Sequence, residues 1–399
     1  MKILLVISSF YPAWSYGGPG NLVYEIARSL TVKNQSVTVY STDAYDAKRR
    51  RGAKDDIQLM REKFSYIFFR NLHNGFVYYT KFFLSPGMFF RALFQLKKFD
   101  IIHIHEIFTP NVALVALVAR IYKIPYFFSA HGTLDPEHLK HRGFLKKIFL
   151  FFAYRIIFEY SSGFVAATDE EAEEYRLMGV KRKKIVTVNN GIDIKPYLHL
   201  PRPGKFRDKF QIPEHRKIII YLGRIHKLKG LDLLVRSFKQ LSGKLNCRLV
   251  IAGSDDGYLP DLKKLVRRLK IDDRVIFPGV MSGSSKLALY RDAQLFVYPS
   301  PAEGFSLAVL EGAAAGLPLV ITRGCKFKAV SEYKAGLIVP FAEKSFTRAI
   351  LKIFSSPRLR SSMAGNARRL VQRNFSVDIM ADKLFAYYRK KIKSHASDI

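Results

Sequence analysis

Two carboxylates stand in an unusual setting in "PSPAEGFSLAVLEGAAAGLPLV", Pro299 to Val320: Glu303 lies beside Gly304, and Glu311 sits inside an otherwise apolar run of small residues. The preceding "AQLFVYPS" has the pattern of a buried strand, "PAEGF" breaks it, and "SLAVLEGAAA" has helical composition with Ser306 as a plausible N-cap. Glu303 is therefore expected just before a helix N-terminus, and Glu311 well inside the helix. The free N–H groups of such an end, with about half a positive charge from the helix dipole, form an anion site. Beside a bound phosphate Glu303 would accept hydrogen bonds from neutral hydroxyls, because its own charge repels the anion. A solvated loop acid is the plainer reading of Glu303 taken alone. The apolar neighbours of Glu311 call for an internal polar partner.

A second candidate anion site lies in "KIIIYLGRIHKLKGLDLLVRSF", where a strand runs into Gly223 and Arg224, and Lys229 with Gly230 opens an amphipathic helix. Two cations placed at a strand exit and a helix start can grip a diphosphate together; scattered surface cations are the alternative in so basic a chain. Near the front, Gly17, Gly18 and Gly20 precede a helix after the first strand, which lets a backbone approach a ligand or simply makes a turn. Their spacing is not GxGxxG, so dinucleotide binding is weakly supported. His131 in "SAHGTLDP" sits next to Gly132 at another strand exit, on the same sheet edge as the glycine turn. Asp255, Asp256, Asp272 and Asp273 have no third ligand at a metal spacing and read as turn and cap residues, so no metal is expected.

These residues need a frame. Apolar runs alternate with helical stretches: "KILLVIS", "VTVYST", "DIIHIH", "YFFSAHG" and "GFVAAT", then "KIIIYLG", "CRLVIAG", "RVIFPG", "AQLFVYPS" and "LPLVIT". Such continuous strands suit parallel sheets covered on both faces, hence two α/β domains in series. The proline-rich, charged stretch Asn189 to Lys217 marks a boundary near residue 200, giving domains 1–200 and 201–375, and Ser376 to Ile399 reads as a terminal helix. A chain of 399 residues, 48% hydrophobic, fits this division.

The excess of 66 Lys plus Arg over 33 Asp plus Glu points to an anionic partner. Only Cys247 and Cys325 are present, which excludes a disulfide framework and suits a reducing cytoplasm. The opening "MKILLVISSF" reads as a buried strand, since Ser8 and Ser9 interrupt it and no cleavage site follows. No apolar run approaches the roughly 18 residues a membrane span needs. The stretch His138 to Phe158, with Leu145, Phe149, Phe152 and Ile156 at helical spacing and Lys146 and Lys147 beside them, and the similar "FFLSPGMFFRALFQLKKF", are either buried helices or interfacial ones docking on an anionic membrane. A nucleic-acid-binding protein is a competing class for so basic a chain, but no recognised module appears and the cations are scattered.

The motifs together resemble glycosyltransferase family 4, retaining enzymes of the GT-B fold. "EGFSLAVLE" matches the family's E-x7-E motif and "YLGRIHKLKG" its diphosphate-binding segment; the first glycine turn, "HGTLDP", "NNGID" and "GFSLAVLEGAAAGLPLV" occur in the expected order. The resemblance implies two Rossmann-like domains facing a cleft, an N-terminal one for the acceptor and a C-terminal one for a nucleotide-activated sugar, with the last helix crossing back to the first. It implies catalytic roles for His131, Arg224, Lys229 and Glu303. Arg224 and Lys229 would hold the diphosphate, Glu303 the sugar hydroxyls and Glu311 the ribose, while Gly304 and the amides of Phe305, Ser306 and Leu307 complete the phosphate site. Gly17 and Gly18 would approach the donor phosphates, and His131 the transferred sugar. The donor is then a UDP-sugar, or a GDP-sugar, with no separate cofactor or metal. The acceptor is expected to be a glycan or a polyprenyl-linked acceptor at the inner face of the cell membrane, in surface polysaccharide or glycolipid biosynthesis. A sugar-nucleotide epimerase on the same fold is the enzyme alternative. The chain departs from many relatives in "KFKAV" after "VITRGC", where they carry an acid, and in the form of "HGTLDP".

Overall fold

The ten apolar runs are all strands, and all are parallel to their neighbours. The computed structural model describes residues 1–397 except 14–15, 47–48, 58, 81, 136–138 and 140–142. In the N-terminal part β1 (Lys2–Val6), β2 (Ser36–Thr42), β3 (Ser65–Phe69), β4 (Ile101–His105), β5 (Tyr126–Ser129), β6 (Gly163–Ala166) and β7 (Ile185–Thr187) form one sheet in the order β3-β2-β1-β4-β5-β6-β7. In the C-terminal part β8 (Lys217–Leu222), β9 (Cys247–Ala252), β10 (Val275–Gly279), β11 (Leu295–Tyr298), β12 (Leu319–Thr322) and β13 (Gly336–Val339) form another in the order β10-β9-β8-β11-β12-β13. Their central strands are buried on both faces, as in Ile218, Ile219 and Ile220 of β8. Each such side chain contributes about 1.5–3 kcal/mol by leaving water. Both sheets are doubly wound, and each reverses its strand order once, between β1 and β4 and between β8 and β11. Ligands of open parallel sheets bind at the carboxyl ends of the strands flanking that reversal.

Two compact units follow: Met1–Gly191 with Val377–Ile399, and Ile192–Ser376. The proline-rich stretch after Ile192 is thus an ordered part of the second unit. The Asp292 carboxylate ties it down by accepting the amides of Gly204 at 2.7 Å, Phe206 at 2.9 Å and Arg207 at 3.1 Å. The unit's two ends lie side by side, where the Ile192 amide donates to the Phe375 carbonyl at 3.0 Å and Ile192 bridges Ser376. The terminal helix, Val377–Ser397, packs on the first unit's helix Pro19–Val32 through an Asp382–Lys33 ion pair of 2.6 Å, and it sends the Tyr388 hydroxyl to His103.

Two local expectations need correction. Gly20 lies inside the first turn of the helix Pro19–Val32, and a Cβ there would stand 2.8 Å from the Ser9 carbonyl, so its bareness serves close packing on the chain itself. The segment from His138 forms a helix only over Gly143–Tyr154, continued by a π-turn Arg155–Glu159. His138, and the side chains of Leu145 and Lys146, lie outside the described residues. Phe149 and Ile156 pack inward, but Phe151 is 82% and Phe152 77% exposed, so neither a single apolar face nor a simply buried helix describes it.

Candidate active site

The second unit assembles its site at the reversal between β8 and β11. Beyond β8 the chain turns through Gly223 so that Arg224 leaves the sheet, its carbonyl accepting the Tyr221 hydroxyl at 3.0 Å. Gly253 makes this turn possible: at φ +151° its missing Cβ would stand 1.7 Å from the Gly223 carbonyl oxygen. The Arg224 guanidinium meets the Asp256 carboxylate at 2.7 Å, so Asp256 is an ion-pair partner as well as a turn residue. One short helical turn, Lys227–Lys229, is capped by His226, and Gly230 at φ +66° then starts the helix Leu231–Ser242 against the Pro299 carbonyl.

Beyond β11, the Glu303 amide donates to the Gly324 carbonyl at 2.9 Å, which fixes the loop against the exit of β12. Its carboxylate pairs with the Lys229 ammonium at 2.5 Å, both side chains only 11–12% exposed. Ser306 caps the helix Leu307–Ala314 by accepting the Val309 amide at 3.4 Å. Among the described residues the amides of Phe305, Ser306 and Leu307, which follow Gly304, donate no hydrogen bond. Glu311 has the internal partners its setting demands, Lys286 at 2.8 Å and the Tyr290 hydroxyl at 3.0 Å.

Stacked rings link these positions: Tyr221 on Tyr298 at 5.2 Å, Tyr298 on Phe296 at 6.2 Å, and Phe296 on Tyr290 at 6.4 Å. Burial, then the Glu303 charge, raises the phenol pKa of Tyr221 and of Tyr298 and pushes the Cys325 thiol up to about 12. At the other end burial, then Glu311, raises that of Tyr290. The structure therefore joins Lys229 to Glu303 directly, places Arg224 on the same aromatic floor, and stations Glu311 at the floor's far end.

In the first unit, Gly17 (φ +99°) and Gly18 lead into the helix Pro19–Val32 beyond β1. His131, beyond β5, holds a left-handed φ of +53° and puts its Nε2 3.0 Å from Nδ1 of His105. Sequence reading missed His105 and His103, although "HIH" on a strand puts both on one face. Burial lowers all three pKa values: His131 to about 4, His103 to about 3 with help from His131, and His105 well below the ordinary range with help from both. Each ring is neutral when folded and takes a proton below about 6.5 once unfolded. Stability is accordingly complete above pH 6.5 and lost as pH falls towards those values, by at most about 1.4 kcal/mol per pH unit per histidine. Chemical denaturation between pH 7 and 5 is expected to show this decline, and His103→Gln to flatten it; equal slopes in both chains would refute the assignment.

A family profile described as glycosyl transferases group 1 matches residues 204–370, and one described as Glycosyltransferase Family 4 matches residues 16–195. An uncharacterized glycosyltransferase of Methanocaldococcus jannaschii is 26% identical over 309 residues, covering 75% of this chain and 77% of that one. A D-inositol 3-phosphate glycosyltransferase of Kineococcus radiotolerans is 28% identical over 262 residues, 61% of this chain and 60% of that one. The structure of Anabaena HepE in complex with UDP and glucose superposes with a TM-score of 0.79 at 18% identity, covering 98% of this chain and all of that one. With two doubly wound domains of the GT-B type and both halves matched, this chain belongs to glycosyltransferase family 4.

Proposed function

We propose that the chain transfers a sugar, with retention and without a metal, from a UDP-sugar, or failing that a GDP-sugar, to a glycan or polyprenyl-linked acceptor in surface polysaccharide or glycolipid biosynthesis. The Lys229–Glu303 pair, set beside Arg224 and three unpartnered amides at the sheet reversal, carries this reading. UDP with glucose in the Anabaena neighbour supports the choice of nucleotide. A donor diphosphate takes over Lys229 as its counter-charge, which frees the Glu303 carboxylate for sugar hydroxyls. Arg224, oriented through one nitrogen by Asp256, keeps donors for the second phosphate. Glu311 accepts from the ribose, while His131, Gly17 and Gly18 keep the substrate-contacting roles given by the family resemblance.

In the chemical step the bond from the anomeric carbon to the phosphate oxygen breaks and the acceptor oxygen bonds to that carbon on the same face. The acceptor's proton passes to the departing phosphate oxygen. Arg224, Lys229 and the amides at Phe305, Ser306 and Leu307 stabilise the charge growing on the diphosphate. Nucleotide release from a panel of UDP-, GDP- and ADP-sugars, with acceptor and in EDTA, tests the reading. Turnover of one donor with the anomeric configuration kept and EDTA without effect is expected; inversion or a strict metal requirement would refute it.

The reading includes docking on the inner membrane face. Among the described residues no helix is long and apolar enough to cross a membrane. Three helices that share one core layer, Pro86–Gln95, Pro110–Ile121 and Gly143–Tyr154, expose Phe90, Phe94, Leu117, Ile121, Ile148, Phe151 and Phe152. Arg91, Lys97, Lys98, Arg120, Lys147 and Arg155 are exposed on or next to the same helices, and each cation near an anionic leaflet adds about 1 kcal/mol. The wild-type chain is expected to float with phosphatidylglycerol vesicles at low salt, and Phe151→Glu/Phe152→Glu to stay behind. A wild-type chain left wholly in solution removes this part.

A further inference from the structure

The three clustered histidines of the first unit, two of them buried, can be resolved atom by atom. Ser129 donates its hydroxyl to the Val165 carbonyl at 3.2 Å, so it accepts from Nε2–H of His103 at 2.9 Å. Nδ1 of His103 then accepts from the Tyr388 hydroxyl at 2.5 Å. His103 is fully satisfied, both its nitrogens being engaged elsewhere although its ring lies 4.1 Å from that of His105. His105 is not: it is 0% exposed, and its Nε2 is buried with no partner.

That orphan decides where the protons lie between His105 and His131. Were His131 to donate from Nε2, His105 would carry its own proton on Nε2, where a buried N–H would go unmatched. Were His105 to donate from Nδ1, only a lone pair would be left without a partner. Buried unmatched N–H groups are the rarer and costlier defect. His105 thus donates, and the neutral His131 ring carries its proton on Nδ1. No hydrogen bond among the described residues reaches that atom, and His131 keeps partial contact with solvent. The left-handed turn at His131 and Gly132 is held by the Gly132 amide donating to Glu171 at 2.8 Å, so the ring has a fixed mount.

We propose that His105 is a positioning residue that fixes His131 as a neutral Nδ1–H donor aimed at an oxygen of the substrate, and bars it from serving as a base through that atom. This rests on the reading of His131 as a substrate-contacting group. The pairing also explains why the two rings lie with centroids 5.2 Å apart and planes only 6° from parallel: the 3.0 Å bond between their edges holds both orientations.

The test uses the full chain with ¹⁵N-labelled histidine. In the wild type the imidazole nitrogen shifts of His131, assigned by their loss in His131→Gln, are expected to show a protonated Nδ1 and a bare Nε2 from pH 8 to 6. His105→Phe keeps the ring volume and removes the orphan nitrogen, so it should fold; in it the bare Nε2 of His131 loses its donor, and its ¹⁵N shift is expected to move downfield towards that of an unbonded imidazole nitrogen. His105→Asn keeps an N–H donor near the old Nδ1 position and is expected to restore the wild-type pattern. With whichever of UDP-, GDP- or ADP-glucose is turned over fastest, His105→Phe is expected to lower kcat about tenfold, the worth of one hydrogen bond, with KM little changed. His105→Asn should recover most of that loss. A wild-type proton on Nε2, or an unaltered pattern in His105→Phe, overturns the proposal. If the shifts behave as expected but His131→Gln retains full kcat, the substrate role of His131 is what fails, and with it the catalytic half of the proposal.

Discussion

Lys229→Met is expected to lower kcat by about 10²- to 10³-fold, the usual consequence of removing one preorganised group that meets charge developing in a transition state. It is also expected to destabilise the second unit, because Glu303 is then left as a nearly buried carboxylate without its partner at 2.5 Å. Breaking one side of such a pair costs about 3–5 kcal/mol, whereas replacing both sides by neutral groups is close to neutral. Lys229→Met/Glu303→Gln should therefore recover most of the stability and none of the activity. Urea denaturation of the single and double variants, run beside nucleotide release, separates the two effects. A double variant as active as the wild type would mean that the pair only braces the loop.

Gly253→Ala is the second large effect. The new methyl group would sit 1.7 Å from the Gly223 carbonyl oxygen at a φ of +151°, where neither partner is a movable side-chain end. Overpacking of this kind costs about 1–3 kcal/mol and the strained backbone about 1–3 more. The relief available is to push β8's exit away from β9, which carries Arg224 off the Tyr221–Tyr298 floor. A loss of at least about 2 kcal/mol, with turnover falling in whatever fraction remains folded, is expected from denaturation and activity assays. A change under about 1 kcal/mol would show that the Gly223 turn is not what places Arg224.

The three strands that sequence reading did not find, β3, β7 and β13, are all at sheet edges. An edge strand is covered less completely, so its residues need not be uniformly apolar, and "IVT" and "GLIV" are too short to announce themselves. The site was legible in proportion to how local its geometry is. Glu303, Ser306 and Glu311 belong to one strand, loop and helix, and Arg224 and Lys229 to another, so residue types and spacing located them. Asp256 escaped because its ion pair with Arg224 joins the exits of two strands, a relation that only the β8–β9 register creates. Lys286, the partner of Glu311, lies on a separate helix for the same reason. His105 was hidden differently: a histidine on an apolar strand is ordinarily a core residue, and only the left-handed turn at His131 brings the second ring to it.

The Ile192–Phe375 hydrogen bond has a practical reach beyond its own unit. Because the second unit enters and leaves through neighbouring backbone positions, it is a contiguous insert with paired ends, while its companion is assembled from two separated lengths of chain. Residues 192–376 can thus be exchanged as one cassette between relatives, with seams at Gly191/Ile192 and Ser376/Val377. Donor preference should travel with the cassette and acceptor preference stay with the recipient.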